Sequence, residues 1–197
     1  MANKKISALP LRTAPLNLKD QLEICSFISP ISKVSQRMTF DNIAKSVLAF
    51  NAVGSFYDNN TQTTTALTPT PMFLGDLYFS QDINVISMSE IQVDFAGLYS
   101  VQFSAQTYRT SGSSNREINT WFRVNGLDVP ESNRKMTIKD NSVYHVASSN
   151  IFLNLNASDI VEIYWLVTDA NIQLRVEGDT PTLPATPSVI ATINRIQ

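Results

Sequence analysis

The chain has 197 residues, of which 43% are hydrophobic and only 16% are charged, below the roughly 25% of an average soluble protein. Its formal net charge of -2 gives no electrostatic signature of a nucleic-acid-binding protein. The length allows a small module followed by one domain of about 100–150 residues. We therefore expect one core domain with an appendage, and no nucleic-acid partner.

The first residues carry no pattern typical of export or membrane insertion. MANKKISALP contains two lysines, but no apolar stretch of the kind found in secretory signals follows them. No segment approaches the roughly 20 apolar residues of a membrane-spanning helix. We expect a protein that is made in a cytoplasm and has no membrane partner.

Charge is distributed unevenly along the chain. Residues 1–50 carry seven basic and three acidic side chains, whereas residues 51–197 carry eight basic and fourteen acidic ones. This asymmetry indicates either two segments that meet different environments or a chance clustering on two solvated faces.

Residues 1–50 are predicted to form a small module containing a β-hairpin and a short helix. LEICSFIS (22–29) is rich in β-forming residues, and ISKVSQRM (31–38) alternates apolar with polar residues, with a turn at Ser29-Pro30. In TFDNIAKSVLAF, Thr39 or Asp41 can cap a helix. Its apolar residues recur at helical spacing: Ile43, Val47, Leu48 and Phe50.

Residues 51–71 are predicted to provide a first strand and a linker. AFNAVGSFYD, which ends at residue 58, has the composition of a strand. DNNTQTTTALTPTP (58–71) is polar and threonine-rich with two prolines, which is typical of a linker or an extended arm.

Residues 72–197 are predicted to form an all-β head domain. Short segments of β-forming residues are separated by turn residues about every 8–15 positions, which is typical of an antiparallel sandwich or barrel. The segments are MFLGDLYFS, NVISMSEIQVDF, GLYSVQFSAQTYRT, EINTWFRVNGLDVP, KMTIKD, SVYHVASSNIFLNLN, DIVEIYWLVT, NIQLRVEG and SVIATINRI.

Alternation within two of these strands predicts which side chains face the core. In GLYSVQFSAQ the core set is Tyr99, Val101, Phe103 and Ala105, and in DIVEIYWLV it is Val161, Ile163, Trp165 and Val167. The opposite face of the second strand mixes apolar and polar residues, namely Ile160, Glu162, Tyr164 and Leu166. A face of this composition is typical of a subunit interface.

No constellation of catalytic or metal-ligating residues is apparent. Cys25 is the only cysteine and His145 the only histidine, so neither an intrachain disulfide nor the usual zinc spacings can form. The aspartates lie mostly in turns, where aspartate is favoured, without calcium-loop spacing. We expect no metal, no cofactor and no enzymatic activity.

A possible surface contact loop lies in QTYRTSGSSNRE. Four aromatic residues are candidates for stacking against a sugar: Tyr57, Tyr108, Trp121 and Tyr144. Trp121 lies inside a predicted strand, where an aromatic residue usually belongs to a core or an interface. Tyr108 lies in a polar stretch beside Arg109 and Arg116, so these three residues are the predicted contact surface.

The head resembles the jelly-roll family of complement-type globular heads and tumour necrosis factor, in the version found in bacteriophage fibre and capsid-decoration proteins. The matching blocks are Phe95, Gly97, Tyr99, Phe103 and Ser104, then WFRVNGLDVP (121–130), NIFLNLNASDIVEIYW (150–165), NIQL (171–174) and PSVIATI (187–193). Ser158 stands where the family has glycine before the aspartate of a turn. The resemblance implies a homotrimer, and the outward strand faces supply the candidate interface residues Leu98, Ser100, Gln102 and Tyr164.

Residues 4–49 resemble the short segment that opens many phage fibre and appendage proteins. KISALPLRTAPLNLKDQLEICS, a strand and then TFDNIAKSVL match its opening, strand pair and short helix. In that family the segment attaches the protein to the virion, which implies that residues 1–50 contact capsid or tail proteins.

The resemblances imply a phage virion structural protein at the virion surface, either a capsid decoration (cement) protein or a head fibre. A short tail fibre that binds host surface glycan is the alternative. The sequence holds no long shaft of heptads or β-helix repeats, which favours decoration. A free lectin and a depolymerase remain open as further classes.

Overall fold

The computed structural model of the protein describes residues 21–29, 32–39 and 52–196. The chain divides into two units, Met1–Leu48 and Ala49–Gln197. In the first unit, β1 (Gln21–Ser29) and β2 (Ser32–Thr39) pair antiparallel, and the register shifts between Phe27 and Ser29. The helix predicted between Asp41 and Phe50 lies outside the described residues.

The second unit is built from short strands joined by turns. Between residues 52 and 196 these strands are β3 (Val53–Asp58), β4 (Thr70–Pro71), β5 (Asp76–Gln81), β6 (Ile83–Val85), β7 (Ile91–Val93), β8 (Gly97–Arg109), β9 (Arg116–Val124), β10 (Leu127–Asp128), β11 (Arg134–Ile138), β12 (Tyr144–Leu155), β13 (Ile160–Val167), β14 (Ile172–Leu174) and β15 (Val189–Arg195).

The strands form two antiparallel sheets. The seven-stranded sheet has the order β10-β9-β13-β7-β6, with β11 also paired to β9 and β4 to β13. The six-stranded sheet has the order β12-β8-β15-β3-β5, with β14 also paired to β8. From β8 onward the chain passes from one sheet to the other and back, which is the connectivity of a jelly roll. The predicted all-β, antiparallel jelly-roll sandwich is therefore confirmed for residues 52–196.

The core lies between the two sheets and consists of the predicted alternating side chains. Tyr99, Val101, Phe103 and Ala105 of β8 are buried, as are Val161, Ile163, Trp165 and Val167 of β13. Phe103 of the six-stranded sheet meets Phe122 of the seven-stranded sheet edge to face, with ring centroids 5.6 Å apart. Edge-to-face contact is a preferred geometry for aromatic pairs.

The threonine-rich segment after β3 belongs to the second unit. Gln62 is buried, exchanges backbone hydrogen bonds with Leu174, and donates from Nε2 to the carboxylate of buried Asp58 at 2.9 Å. Farther along, Thr70–Pro71 pairs with β13. Of the two predicted alternatives, the segment therefore has the character of an extended arm on the sandwich and not of a linker, and the second unit begins at Ala49.

Two predicted turns lie next to each other at one end of the seven-stranded sheet. Asn125 and Gly126 have φ values of 51° and 77°, as a tight hairpin requires. Ser158 adopts a φ of 70°, so the turn that has glycine in the family forms here with serine. Asn125 joins the two turns, because its amide donates to Asp159 and its Oδ1 accepts from the Ile160 N–H, both at 2.9 Å.

Candidate functional surfaces

The outer face of the six-stranded sheet holds three of the four predicted interface residues. Leu98, Ser100 and Gln102 alternate along β8 with buried core residues and therefore point away from the core. Ser100 donates a hydrogen bond to Asn150 of the neighbouring strand β12 at 3.2 Å. These three side chains lie on one continuous surface.

Both edge strands of this sheet expose large apolar side chains. On β12, Val146 is 58% exposed and Phe152 is 63% exposed. On β5, Tyr78 and Phe79 are each more than half exposed. Leu77 is also exposed, but it pairs with buried Phe56 and therefore lies on the other side of the sheet. Soluble monomers rarely expose contiguous apolar patches, and exposed apolar edge strands tend to pair with other chains. This face has the features of an interaction surface between proteins.

A polar hollow lies between the two edges. Its volume is about 490 Å³. The lining is mostly small and polar: Gln102, Phe103, Ser104, Ser148, Ser149, Asn150, Ile190 and Thr192. The face is therefore apolar along its edges and polar near its middle, which leaves room for water or side chains of a second protein.

Tyr164 does not share this surface. It lies on β13, with Trp121 of β9 on one side and Pro71 of β4 on the other. The core separates the outer face of this seven-stranded sheet from the outer face of the six-stranded sheet. Of the four predicted interface residues, Leu98, Ser100 and Gln102 therefore lie together, whereas Tyr164 lies on the outer face of the other sheet. Their role in a trimer interface stays a prediction.

Tyr164 belongs to a group of side chains that we name the Trp121 cluster, which consists of Trp121, Arg123, Asp128, Glu162 and Tyr164. The rings of Trp121 and Tyr164 have centroids 5.7 Å apart, and the Arg123 guanidinium lies 3.9 Å from the Tyr164 centroid. Asp128 Oδ1 accepts from Trp121 Nε1 at 2.7 Å and from Arg123 Nε at 2.5 Å. The aromatic rings and the ion pair thus hold one another in place.

The two carboxyl groups of the cluster have opposite electrostatic environments. Hydrogen bonds from Arg123 and then from Trp121 lower the pKa of Asp128. Burial, followed by repulsion from Glu90, raises the pKa of Glu162. Glu162 is only 9% exposed, and among residues 52–196 no hydrogen bond or ion pair holds its carboxyl group. Its charge is therefore the less well compensated of the two.

The three residues of the predicted contact loop lie in different environments. Tyr108 is part of β8, where it contacts the ring of Tyr144 at 4.8 Å and the guanidinium of Arg175 at 4.2 Å. Arg109 also belongs to β8 and is only 1% exposed, so the prediction that it contacts a partner from an exposed loop is corrected. Arg116, at the start of β9, is half exposed.

Arg109 instead holds three loops together. Its guanidinium donates to the backbone oxygens of Ser114 at 2.6 Å and Lys139 at 3.3 Å, and to the Asp169 carboxylate at 3.2 Å. Arg116 donates to the same carboxylate at 3.3 Å. The backbone N–H of Asn171, followed by Arg116 and Arg109, lowers the pKa of Asp169. This charge network is structural, because its central residue is inaccessible.

The only histidine of the sequence is a strand residue of the second unit. His145 lies in β12, and its backbone oxygen accepts a hydrogen bond from Thr107 at 2.9 Å. Over the described ranges, no three His, Cys, Asp or Glu side chains are grouped so as to hold a metal ion. Within the same ranges, no helix is long and apolar enough to span a membrane. Cys25 falls in β1, of whose side chains nothing is described.

Alternation alone could not identify some of the exposed apolar residues. Leu77, Tyr78 and Phe79 form a short continuous apolar run, which sequence reasoning normally assigns to a buried strand. Phe152 belongs to a predicted strand, and the two-residue period of a strand places its side chain on the face opposite to that of the core residues Leu153 and Leu155. The usable signal was therefore a phenylalanine on the outward face of an otherwise polar strand.

Comparisons with known proteins give a likeness of fold. No protein-family model and no curated protein sequence matches the chain. Among solved structures, the globular domain of zebrafish complement 1qA protein is similar, with 16% identity over 75% of this chain and 98% of that chain and a TM-score of 0.45. Our assignment of the jelly roll rests on the strand order of the two sheets.

Proposed function

We propose that the protein is a non-enzymatic structural protein of a phage virion surface, with a head that assembles as a homotrimer. The observation that carries this proposal is the outer face of the six-stranded sheet, with its exposed apolar edge strands β5 and β12. Residues 1–50 attach the chain to a capsid or tail protein, and the head is displayed. Catalysis has no part in this function.

The apolar edges support self-association. Phe152 and Val146 on one edge and Tyr78 and Phe79 on the other are more than half exposed, and burying the remaining exposed part of such side chains contributes about 1 kcal/mol each. In a head-to-tail ring, an edge strand of each copy lies against the sheet face or edge of the next copy, so every copy makes the same contacts. The number of three copies in the oligomer is taken from the sequence resemblance to trimeric jelly-roll heads.

The virion assignment is supported by the N-terminal resemblance over residues 4–49 and by the basic charge of residues 1–50. Capsid decoration or a head fibre is preferred over a tail fibre because the sequence holds no long shaft of heptads or β-helix repeats. A tail fibre that contacts host glycan is the alternative.

The oligomeric state can be tested by size-exclusion chromatography with light scattering on the full chain. We expect three times the chain mass of 21.9 kDa. Phe152→Glu places a charge on the apolar edge and should give a monomer that retains its β-sheet circular dichroism. Leu127→Glu, at a 75% exposed position in the hairpin of the opposite sheet, is the matched control and should remain a trimer. A monomeric wild-type chain at micromolar concentration would refute the proposed assembly.

The virion location can be tested separately by immunogold electron microscopy with an antibody against the head domain. Label over the capsid is expected, and label confined to the tail would instead support the fibre alternative. The absence of label from particles would end the virion proposal. Loss of polysaccharide viscosity on incubation with the purified protein would contradict the non-enzymatic assignment.

A further inference from the structure

The Trp121 cluster lies on the surface opposite the proposed trimer interface, where its two aromatic rings and the neighbouring proline ring of Pro71 form a row across three strands. Trp121 and Tyr164 are direct neighbours on β9 and β13, and Pro71 of β4 is the direct neighbour of Tyr164 on its other side. All three side chains are partly exposed. Since neighbouring strands lie about 4.8 Å apart, the row is about 10 Å long. It is a partly exposed row of flat, apolar rings, and the Arg123 guanidinium lies over one face of the Tyr164 ring.

Polar groups border this row of rings in a fixed arrangement. Asp128 is 61% exposed and is held by Trp121 and Arg123. Glu162 is the direct neighbour of Arg123 across the sheet, yet the guanidinium bonds to Asp128 and lies over Tyr164 instead. Glu162 is 9% exposed, and its carboxylate oxygens are not among the buried polar atoms of residues 52–196 that lack a partner. The oxygens are therefore accessible, and a hydroxyl group of a ligand can donate to them.

A saccharide matches both features. One face of a pyranose ring presents C–H groups that pack against aromatic rings, while its hydroxyl groups donate to carboxylates and accept from guanidinium groups. Small-ligand sites combine apolar surface with a few fixed polar groups in this way. The nearby charges are one guanidinium against three carboxylates, those of Asp128, Glu162 and Glu90, so an anionic sugar would be repelled.

We propose that the Trp121 cluster binds a neutral saccharide, which stacks on Trp121 and Tyr164 and donates a hydroxyl hydrogen bond to Glu162. This inference does not depend on the virion assignment. It also differs from the contact surface predicted around Tyr108, where the same pairing of an aromatic ring with a guanidinium occurs. At that second place the carboxylate of Glu177 is already bonded to Arg175 at 2.9 Å and to the hydroxyl of Tyr144.

Intrinsic fluorescence provides a direct measurement, because the chain has only two tryptophans and Trp165 is fully buried. The full-length protein is titrated with cellobiose, maltose, lactose and chitobiose, and is applied to an array of neutral glycans with polysialic acid as the anionic probe. At least one neutral sugar should change the emission of Trp121 in a saturable way. Polysialic acid should not bind. Absence of binding to every neutral probe at millimolar concentration, or binding of the anionic probe alone, overturns the proposal.

Substitutions then assign the signal to the cluster by calorimetric titration. Trp121→Ala and Tyr164→Ala should each weaken binding at least about tenfold, and Glu162→Gln should weaken it about threefold. Tyr108→Ala is the matched control and should leave the affinity within about twofold of wild type. Circular dichroism verifies that each variant is folded. If Tyr108→Ala abolishes binding and the Trp121 and Tyr164 variants do not, the site lies at the other surface and the inference is wrong.

Discussion

Replacing Arg109 should destabilise the head far more than replacing Arg116, although both side chains donate to the same carboxylate. Arg109 is 1% exposed and makes three charge-assisted hydrogen bonds, whereas Arg116 has a side chain 42% exposed. Removing one member of a buried, hydrogen-bonded pair typically costs about 3–5 kcal/mol. Removing an exposed partner costs about 1 kcal/mol or less. We therefore expect Arg109→Met to cost about 3 kcal/mol, because Asp169 keeps Arg116 and the Asn171 N–H.

The measurement is urea unfolding of the full chain, followed by tryptophan fluorescence at one protein concentration, since the stability of an oligomer depends on concentration. With a slope of about 1–3 kcal/mol per molar urea, Arg109→Met should lower the midpoint by about 1 M or more. Arg116→Met should lower it by less than about 0.5 M. Equal shifts for the two variants would show that burial does not decide the strength of this network, and the reasoning would fail.

Three further substitutions test turns and charges. Gly112 has a φ of 105°, and a Cβ there would overlap the Arg109 guanidinium. Gly126 has a φ of 77°, but nothing lies within 4 Å of a Cβ built there. Gly112→Ala should therefore destabilise the fold by at least about 2 kcal/mol more than Gly126→Ala, and equal falls in melting temperature would contradict this. Glu162→Gln should raise the free energy of unfolding at pH 7, because burial raises the pKa of Glu162 and the ionised carboxylate therefore destabilises the fold. In the wild type this destabilisation disappears only as the pH falls toward the ordinary pKa of 4.5. A variant that is less stable than the wild type at pH 7 would contradict this reasoning. Asp159→Asn should cost about 1 kcal/mol at pH 7, because hydrogen bonds from Asn125 and then Asn156 lower the pKa of Asp159. This stability is present above the ordinary 3.8 and is lost as the pH falls through the lower folded value, so a difference that persists at pH 2 in chemical unfolding would contradict the assignment.

Alternation in the sequence was sufficient to predict β8 and β13 and their inward faces. The core residues of β8 and β13 follow a strict period of two, and the Asn125-Gly126 pair specifies its hairpin chemically. Alternation does not say which of two sheets a strand joins. The pattern therefore placed Tyr164 correctly on an outward face, but it did not reveal that this face belongs to the other sheet from Leu98, Ser100 and Gln102.

Long-range polar contacts were not predictable from single residues. Arg109 follows a tyrosine and precedes a Ser- and Gly-rich stretch, so its surroundings in sequence are those of an exposed loop. Its partner Asp169 is 60 residues away, and only the fold brings the two together. Gln62 is a similar case, because its buried contact with Ser188 spans 126 residues. The Trp121 cluster also combines residues from three strands, which no local pattern reveals.

The position of β15 in the six-stranded sheet has a consequence for how the head folds. This strand follows all the others of the head in the chain, yet it lies between β8 and β3 and pairs with both along nearly its whole length. Until it is synthesised, both neighbours have open edges and the core lacks Val189, Ala191 and Ile193. Such late, non-local pairing is slow and exposes strand edges to other chains. The head should therefore complete its fold only after translation has passed residue 195, and truncation before β15 should yield an aggregating chain instead of a smaller domain.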